Sequence, residues 1–312
     1  MIVFSRLSLR LIFGYLILTC LILVLSACAG VKPNIDIPNK QPIPSWGHQK
    51  RQVVVVLGAG GARGYAHLGV LRALKEAHIP IDGLVCASVG CVVGALFADR
   101  GDIDQAYNSM MEAGFWDFAD VANVPSMRGA TKGYRLEKFL LAHMHAKNFN
   151  ELKLPLLVAS TDLATGNSYL LQGGPVAPAI LASAALPGLV QPVLLYGRQL
   201  IDGGVAAPVP VKFAPLLRPK AIIAINIAQV LEDDIPYSAY EIYKRAYQIM
   251  WLQLTDLGED GADAIIRPSV GEVSTFDISQ KQEMYRRGLE AGRHMIPEIR
   301  TMLEQKGVKV PI

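Results

Sequence analysis

The chain has 312 residues, 51% of them hydrophobic and 18% charged, with a formal net charge of +3. That length holds one large domain or two small ones. A charge so near neutral gives no footing for a nucleic-acid or strongly anionic partner. Residues 1–28 read MIVFSRLSLRLIFGYLILTCLILVLSAC. Arg6 and Arg10 make a basic start, Leu11 to Leu25 a short apolar run, and Leu25-Ser26-Ala27-Cys28 a small-residue end. This is the pattern of a secretory signal. An uncleaved signal anchor is the alternative, since the run sits near the lower limit for spanning a bilayer. Either way the folded part is tethered to a membrane, outside the cytoplasm. Without the two signal arginines, 28 basic side chains face 27 acidic ones.

Residues 28–50 contain four prolines and no periodicity, so they read as a linker after a signal over 1–27. From residue 51 to 312 strands and helices alternate without a further linker, as one domain. Val53–Leu57 is a buried β-branched strand, followed by a glycine-rich loop and a helix over Tyr65–Ala77. Leu84–Ala87 is the second strand and Gly90–Ala98 the next helix. Residues 104–114 and 135–146 have helical patterning, and Leu156–Ser160 is a strand. A short helix over 175–184 precedes two strands, Val193–Tyr196 and Gln199–Ile201, around a Gly197-Arg198 turn. Ala221–Ile227 and Ala264–Ile266 are further strands, and helices near 237–257 and 280–305 complete the chain. Continuous apolar strands alternating with helices predict an α/β domain with a largely parallel sheet.

The loop after the first strand is Gly58-Ala59-Gly60-Gly61-Ala62-Arg63-Gly64. Consecutive glycines let backbone N–H groups converge, and the following helix adds positive potential, so the loop suits an anion. The anion is either a nucleotide phosphate or a transient oxyanion; a purely structural turn is the third reading. A dinucleotide site wants an acidic residue at the end of the second strand. Asp82 precedes that strand, and the phosphate-loop Gly-Lys-Ser/Thr is missing. The second strand ends in Cys86-Ala87-Ser88-Val89-Gly90, close to the G-x-S-x-G of a nucleophile elbow. Gly90 is present and Cys86 stands where the first glycine is usual.

A nucleophilic serine needs a base. His294 lies in a helical run, His67, His78, His143 and His145 fall on helices, and all five read as structural or solvated. No His-x-x-x-His or Cys-His pattern marks a metal site. Asp202 directly follows a strand and precedes Gly203 and Gly204, which allow close backbone approach. It is either the partner of Ser88 or part of an Asp-Gly turn. As a base it needs partial burial and a direct bond to the hydroxyl.

G-x-G-G-x-R-G, S-x-G after the second strand, and D-G-G, in this order, resemble the patatin-like phospholipase family. "NFNELKLPLLVASTDLATG", "AILASAALPGLVQPV" and "LIDGGVAAPVPV" extend the resemblance over about residues 52–230. It implies a three-layer α/β/α sandwich with a largely parallel central sheet. Ser88 would be the nucleophile and Asp202 the base. The N–H groups around Gly60, Gly61 and Ala62 would form the oxyanion hole, with Arg63 holding the loop or meeting a phosphate. The family hydrolyses acyl esters of phospholipids, lysophospholipids and other lipids without a metal or organic cofactor. Residues 25–28 also resemble the lipobox of bacterial lipoproteins. That resemblance implies acylation of Cys28 and, with Ala29 after it, an outer-membrane protein facing the periplasm.

Two rival functions remain: a weakly catalytic lipid- or partner-binding envelope protein, and an esterase or thioesterase for soluble acyl substrates. Cys86 and Cys91 read as two small buried apolar residues, with a bridge as the alternative. Tyr240, Tyr243, Tyr247 and Trp251 recur at helical spacing. The stripe reads as core, with a membrane-facing or substrate-entry surface as the alternative. No oligomeric state follows from the sequence.

Overall fold

A computed structural model of the chain describes residues 40–42, 46, 49–118, 129–231, 234–271 and 273–311. The signal segment, Cys28 and most of the linker lie outside the described residues. One mixed sheet of eight strands organises the remainder. Its centre is β1 (Arg51–Leu57), where Val53 to Val56 are all fully buried because both faces are covered. Strand β1 pairs in parallel with β2 (Gly83–Ala87) and with β7 (Pro219–Ile225). β2 pairs in parallel with β3 (Leu156–Asp162), and β7 with β8 (Ala264–Ile266). The far edge of β3 turns antiparallel, through β4 (Ser168–Leu171) and β6 (Arg198–Ile201), with β5 (Val193–Leu195) outside β6.

Alternation along the strands divides the core in two. Val53, Val55, Leu57, Leu84, Cys86 and Val158 face a thick helical layer. That layer contains α1 (Tyr65–Glu76), α2 (Val89–Arg100), α3 (Ile103–Glu112), the single turn α4 (Phe115–Phe118), α5 (Tyr134–His143) and α6 (Val176–Ser183). Val54, Val56, Val85, Leu157 and Ala224 face the other way, onto a thinner layer built by the 3-10 segment Val211–Leu217. The carboxyl-terminal half of α7 (Ala239–Gly258) covers the strand ends on that side, through Trp251. Last comes α8 (Lys281–Gln305), which lies along α1 and buries Met284, Ile299 and Leu303.

Each strand expected from the apolar runs is present, with ends moved by two residues or fewer. The helices agree to within three. Besides the 3-10 segments, one strand and one α-helical turn were not anticipated. Strand β4 has four residues and a largely half-buried surface, so it lacks an apolar run; its signal is the hairpin turn at Gly166. Turn α4 is too short to show a period. The β5–β6 turn is Tyr196-Gly197, not Gly197-Arg198. Both residues have positive φ (52° and 73°), as a two-residue hairpin turn requires. Among the described residues no helix is long and apolar enough to cross a membrane.

Burial of α8 implies that it folds as one unit with the sheet. Leu303→Ala is expected to lower the unfolding free energy by about 2–5 kcal/mol while keeping a single urea transition. An unshifted main transition would show α8 to be an independent appendage.

Candidate active site

Three chain segments converge at the carboxyl ends of the central strands, where ligands bind in open parallel sheets. β1 delivers the glycine-rich loop, β2 delivers Ser88, and β6 enters antiparallel along β3 and delivers Asp202. Ser88 Oγ donates a 2.6 Å hydrogen bond to Asp202 Oδ2. The other carboxylate oxygen, Oδ1, accepts from Gly204 N–H at 2.7 Å. Asp202 is further fixed through its backbone. Its carbonyl accepts from Thr161 Oγ1–H at 2.8 Å, and its N–H donates to Ala185 O at 3.0 Å. Gly203 opens the short 3-10 turn Gly203–Val205 that follows.

Ser88 caps α2 with φ 54° and ψ −129°, a region that non-glycine residues occupy at a cost of order 1–3 kcal/mol. The strained turn lifts the hydroxyl clear of the strand and places it at the positive end of α2. Gly90 makes the turn possible. A Cβ there would run into Leu57 O and lie 2.7 Å from Gly58 O. Cys86 causes no such collision. It is fully buried and points toward α2, where it is joined to Cys91 in a disulfide, with the two Cα atoms 4.8 Å apart. The reading of two small apolar residues is thereby corrected. Strand end and first helical turn are linked across the serine, because the side chain at 86 and the first turn of α2 share one face of the sheet.

Ser183, at the end of α6, was not singled out from sequence. Its fully buried hydroxyl accepts from Ser88 N–H at 2.9 Å and donates to Ala159 O at 2.6 Å. It ties the strained residue to β3. Its only sequence signal is a serine at the end of an otherwise apolar helical run.

The loop N–H groups divide into two sets. Those of Gly58, Ala59, Ala62 and Arg63 donate to Ile225 O, Pro208 O, Thr275 O and Gly60 O. Those of Gly60 and Gly61 carry no hydrogen bond among the described residues. Ala62 therefore drops out of the expected donor set, because its N–H is spent on Thr275. Gly61 has φ +59°, and a Cβ on it would meet Thr275 backbone. Gly64 packs against the Val89 side chain and seats the loop on α2. Arg63 is buried and holds the loop, donating from Nε to Gly60 O at 3.1 Å and from Nη1 to Gln229 Oε1 at 2.9 Å. Burial lowers its pKa to about 10, so it stays charged at neutral pH. His67 supports the loop from beneath, with Nε2–H donating to Gly58 O at 2.8 Å. Burial pushes its pKa down to about 4, which keeps the imidazole neutral. His78, His145 and His294 are exposed.

Ser88, Asp202, Gly60 and Gly61 line a single cavity of about 330 Å³. Its wall is mostly apolar, including Val92, Met110, Phe115, Leu136, Leu181 and Leu186. Burial raises the Asp202 pKa to about 6, against the opposing pull of the bonds from Ser88 and Gly204. The arrangement is a hydroxyl bonded to a buried carboxylate, beside two open N–H donors and an apolar slot.

Two expectations follow from this geometry. Ser183→Ala should lower kcat on an ester substrate by about 10- to 100-fold, with KM little changed and the circular dichroism spectrum preserved. Unchanged kcat would show that the elbow holds itself. Asp202 has a folded pKa above its unfolded value of about 3.9. The stability this contributes is present below about pH 4 and is lost as pH rises through about 6. Asp202→Asn cannot titrate, so its stability relative to the parent should rise by about 3 kcal/mol between pH 4 and pH 7, measured by urea melts at each pH.

With the site in place, comparisons with known proteins give a consistent picture. An uncharacterized NTE family protein of Mycobacterium tuberculosis is 36% identical over 188 residues, covering 58% of this chain and 50% of that protein. Lysophospholipase NTE1 of Pyricularia oryzae is 27% identical over 241 residues, covering 75% of this chain and 16% of the relative. The chain thus spans about half the length, or less, of these curated relatives. The crystal structure of VipD from Legionella pneumophila superposes with a TM-score of 0.53 at 14% identity, covering 90% of this chain and 72% of the other, and shares the fold. The sequence model of the patatin-like phospholipase family matches residues 55–215, just over half of the chain. This chain belongs to the patatin-like phospholipase family.

Proposed function

We propose that the protein is a serine lipid acyl hydrolase of the phospholipase A or lysophospholipase type, with Ser88 as nucleophile and Asp202 as its base. The observation that carries this reading is the 2.6 Å bond from the strained Ser88 hydroxyl to a buried carboxylate inside an apolar cavity. Kinship with enzymes named lysophospholipases supports a lipid ester as substrate.

The steps follow from the groups present. Ser88 Oγ attacks the acyl carbonyl carbon and its proton passes to Asp202 Oδ2. The carbonyl oxygen becomes an oxyanion received by the N–H groups of Gly60 and Gly61, each such donor being worth about 2.7–4 kcal/mol in the transition state. Collapse breaks the ester C–O bond, and Asp202 returns the proton to the departing alcohol. An acyl group remains on Ser88. Asp202 then takes a proton from water, the hydroxide adds to the acyl carbon, and collapse breaks the bond to Ser88 Oγ, which regains its proton from Asp202 as the fatty acid is released. The residues assigned to these steps need no metal or organic cofactor. A carboxylate with a pKa near 6 is a stronger base than an ordinary aspartate yet remains ionised at neutral pH.

In this proposal the protein acts at the cell envelope. Cleavage before Cys28 and acylation of that cysteine tether the domain through its linker, on the periplasmic side of the outer membrane. Phospholipid or lysophospholipid of that membrane is then within reach.

Fatty-acid release from phosphatidylcholine and lysophosphatidylcholine vesicles tests the reading. Ser88→Ala and Asp202→Asn should each reduce release by roughly 10³-fold or more, and parent activity should rise with pH to a plateau with a midpoint near 6. Equal background release from all three folded proteins would overturn it.

A further inference from the structure

Helix α7 is built inside out for a helix of a globular domain. Its carboxyl-terminal half is fastened to the site: Trp251 Nε1–H donates to Gly204 O at 3.1 Å, and Thr255 is buried. Its amino-terminal half stands clear of the body, and between Ala239 and Tyr247 every residue except the half-buried Arg245 is exposed. At 100° per residue, Tyr240, Ile242, Tyr243, Tyr247, Ile249 and Met250 fall within roughly half the circumference. Glu241, Lys244, Arg245, Gln248 and Asp256 fall in the other half. The apolar half is left exposed to solvent: Tyr240, Tyr243 and Met250 are 75%, 73% and 61% exposed. This corrects the expectation that the aromatic stripe is core for Tyr240, Tyr243 and Tyr247, whereas Trp251 packs against Ala59, Ala87 and Ala159. Ordinary cores are formed by the reverse orientation.

The helix is nonetheless an ordered element. Ser238 and Glu241 form a reciprocal capping box, and Arg245 donates to Asp234 Oδ1 at 2.6 Å. The segment before it adds exposed Val230, Ile235 and Tyr237. Val230, Leu231 and Tyr247 belong both to this surface and to the wall of the catalytic cavity. Through these residues the apolar face reaches the cavity.

We propose that α7, with Val230, Leu231, Ile235 and Tyr237, forms the surface by which the protein sits on a lipid bilayer, with the cavity mouth opening into the lipid. The proposal rests on the lipid-hydrolase reading and names the phase from which substrate enters. A bilayer suits the observations better than a second copy of the chain, which would stand across the mouth and close it. Tyrosines place an apolar ring in the acyl boundary and a hydroxyl among headgroups, and Lys244, beside Tyr240 at the edge of the apolar sector, can reach phosphates. An acyl chain then passes from membrane to cavity along Tyr247 and Leu231 without crossing water.

The test uses the full chain carrying Ser88→Ala, reconstituted in phosphatidylcholine vesicles with brominated acyl chains. Tryptophan is introduced by Tyr243→Trp or Met250→Trp. Leu216→Trp is the control, as exposed as Met250 at 61% but near the amino-terminal ends of β1 and β2. Quenching in excess of the parent is expected at 243 and 250 and not at 216. Equal quenching at all three, or none, overturns the proposal, whatever the protein hydrolyses. In an active background, Tyr240→Ser with Tyr243→Ser and Met250→Ser should lower vesicle hydrolysis by about tenfold or more and leave hydrolysis of a soluble short-chain ester unchanged. Parallel loss on both substrates in a folded variant also overturns it. So does a dimer, seen by sedimentation, that the triple variant dissociates while quenching is absent, since the face then belongs to a second copy. If the parent hydrolyses neither substrate, the hydrolase reading fails while the quenching result still decides the docking surface.

Discussion

One hydrogen bond orders the site: the 2.6 Å contact between Ser88 Oγ and Asp202 Oδ2. Its partners are 114 residues apart in the chain, and neither is held by its own segment alone. Ser88 occupies backbone geometry that strand and helix would both reject, so it depends on Gly90 to let the helix approach, on Ser183 to engage its N–H and on the Cys86–Cys91 link to bracket the turn. Asp202 depends on Thr161, Ala185 and Gly204 for its own placement. The parallel centre of the sheet supplies the first residue and its antiparallel margin the second. A fold with only the parallel part would have Ser88 and no Asp202 beside it.

The burial that raises the basicity of Asp202 also makes its charge costly. A carboxylate in water accepts several hydrogen bonds, whereas Asp202 receives one on each oxygen, and its pKa rises accordingly. A buried ionised group is tolerated at an active site because the reaction uses the basicity that burial creates. The glycine-rich loop shows a related economy. Most of its N–H groups are committed to holding its shape, which leaves Gly60 and Gly61 directed by their neighbours rather than by a ligand. Donors fixed before substrate arrives need no reorganisation during the reaction.

Much of this was legible in the sequence, for identifiable reasons. Runs such as Val53–Leu57 and Ala221–Ile225 are apolar on both faces, which marks central parallel strands, and they fix the order of elements. Ser88, Asp202 and the glycine loop were recognisable because each sits at a strand end with a distinctive composition. Ser183 was not, since a lone serine in an apolar helix carries no spacing signal and its partner lies on another element. The bonding of Ala62 to Thr275 was equally hidden, because a backbone donor's partner leaves no trace in side-chain pattern. Strand β4 was missed because it is half-buried and four residues long. The aromatic stripe of α7 was misjudged for a different reason. Periodicity reports that a helix has an apolar face and says nothing about which way that face turns.

The ionised state of Asp202 also bears on how the reaction ends. In the proposed mechanism the last collapse yields a fatty acid whose proton passes to solvent, so a product carboxylate then stands where the ester stood, next to a base that has become an anion again. Two like charges at about 4 Å repel by about 4 kcal/mol at an effective dielectric of 20. In that mechanism the ionised product is repelled by the group that helped to make it, while the ester carbonyl group, being neutral, feels no such force. On that reading, discrimination between substrate and product arises from electrostatics, without any change in the shape of the cavity.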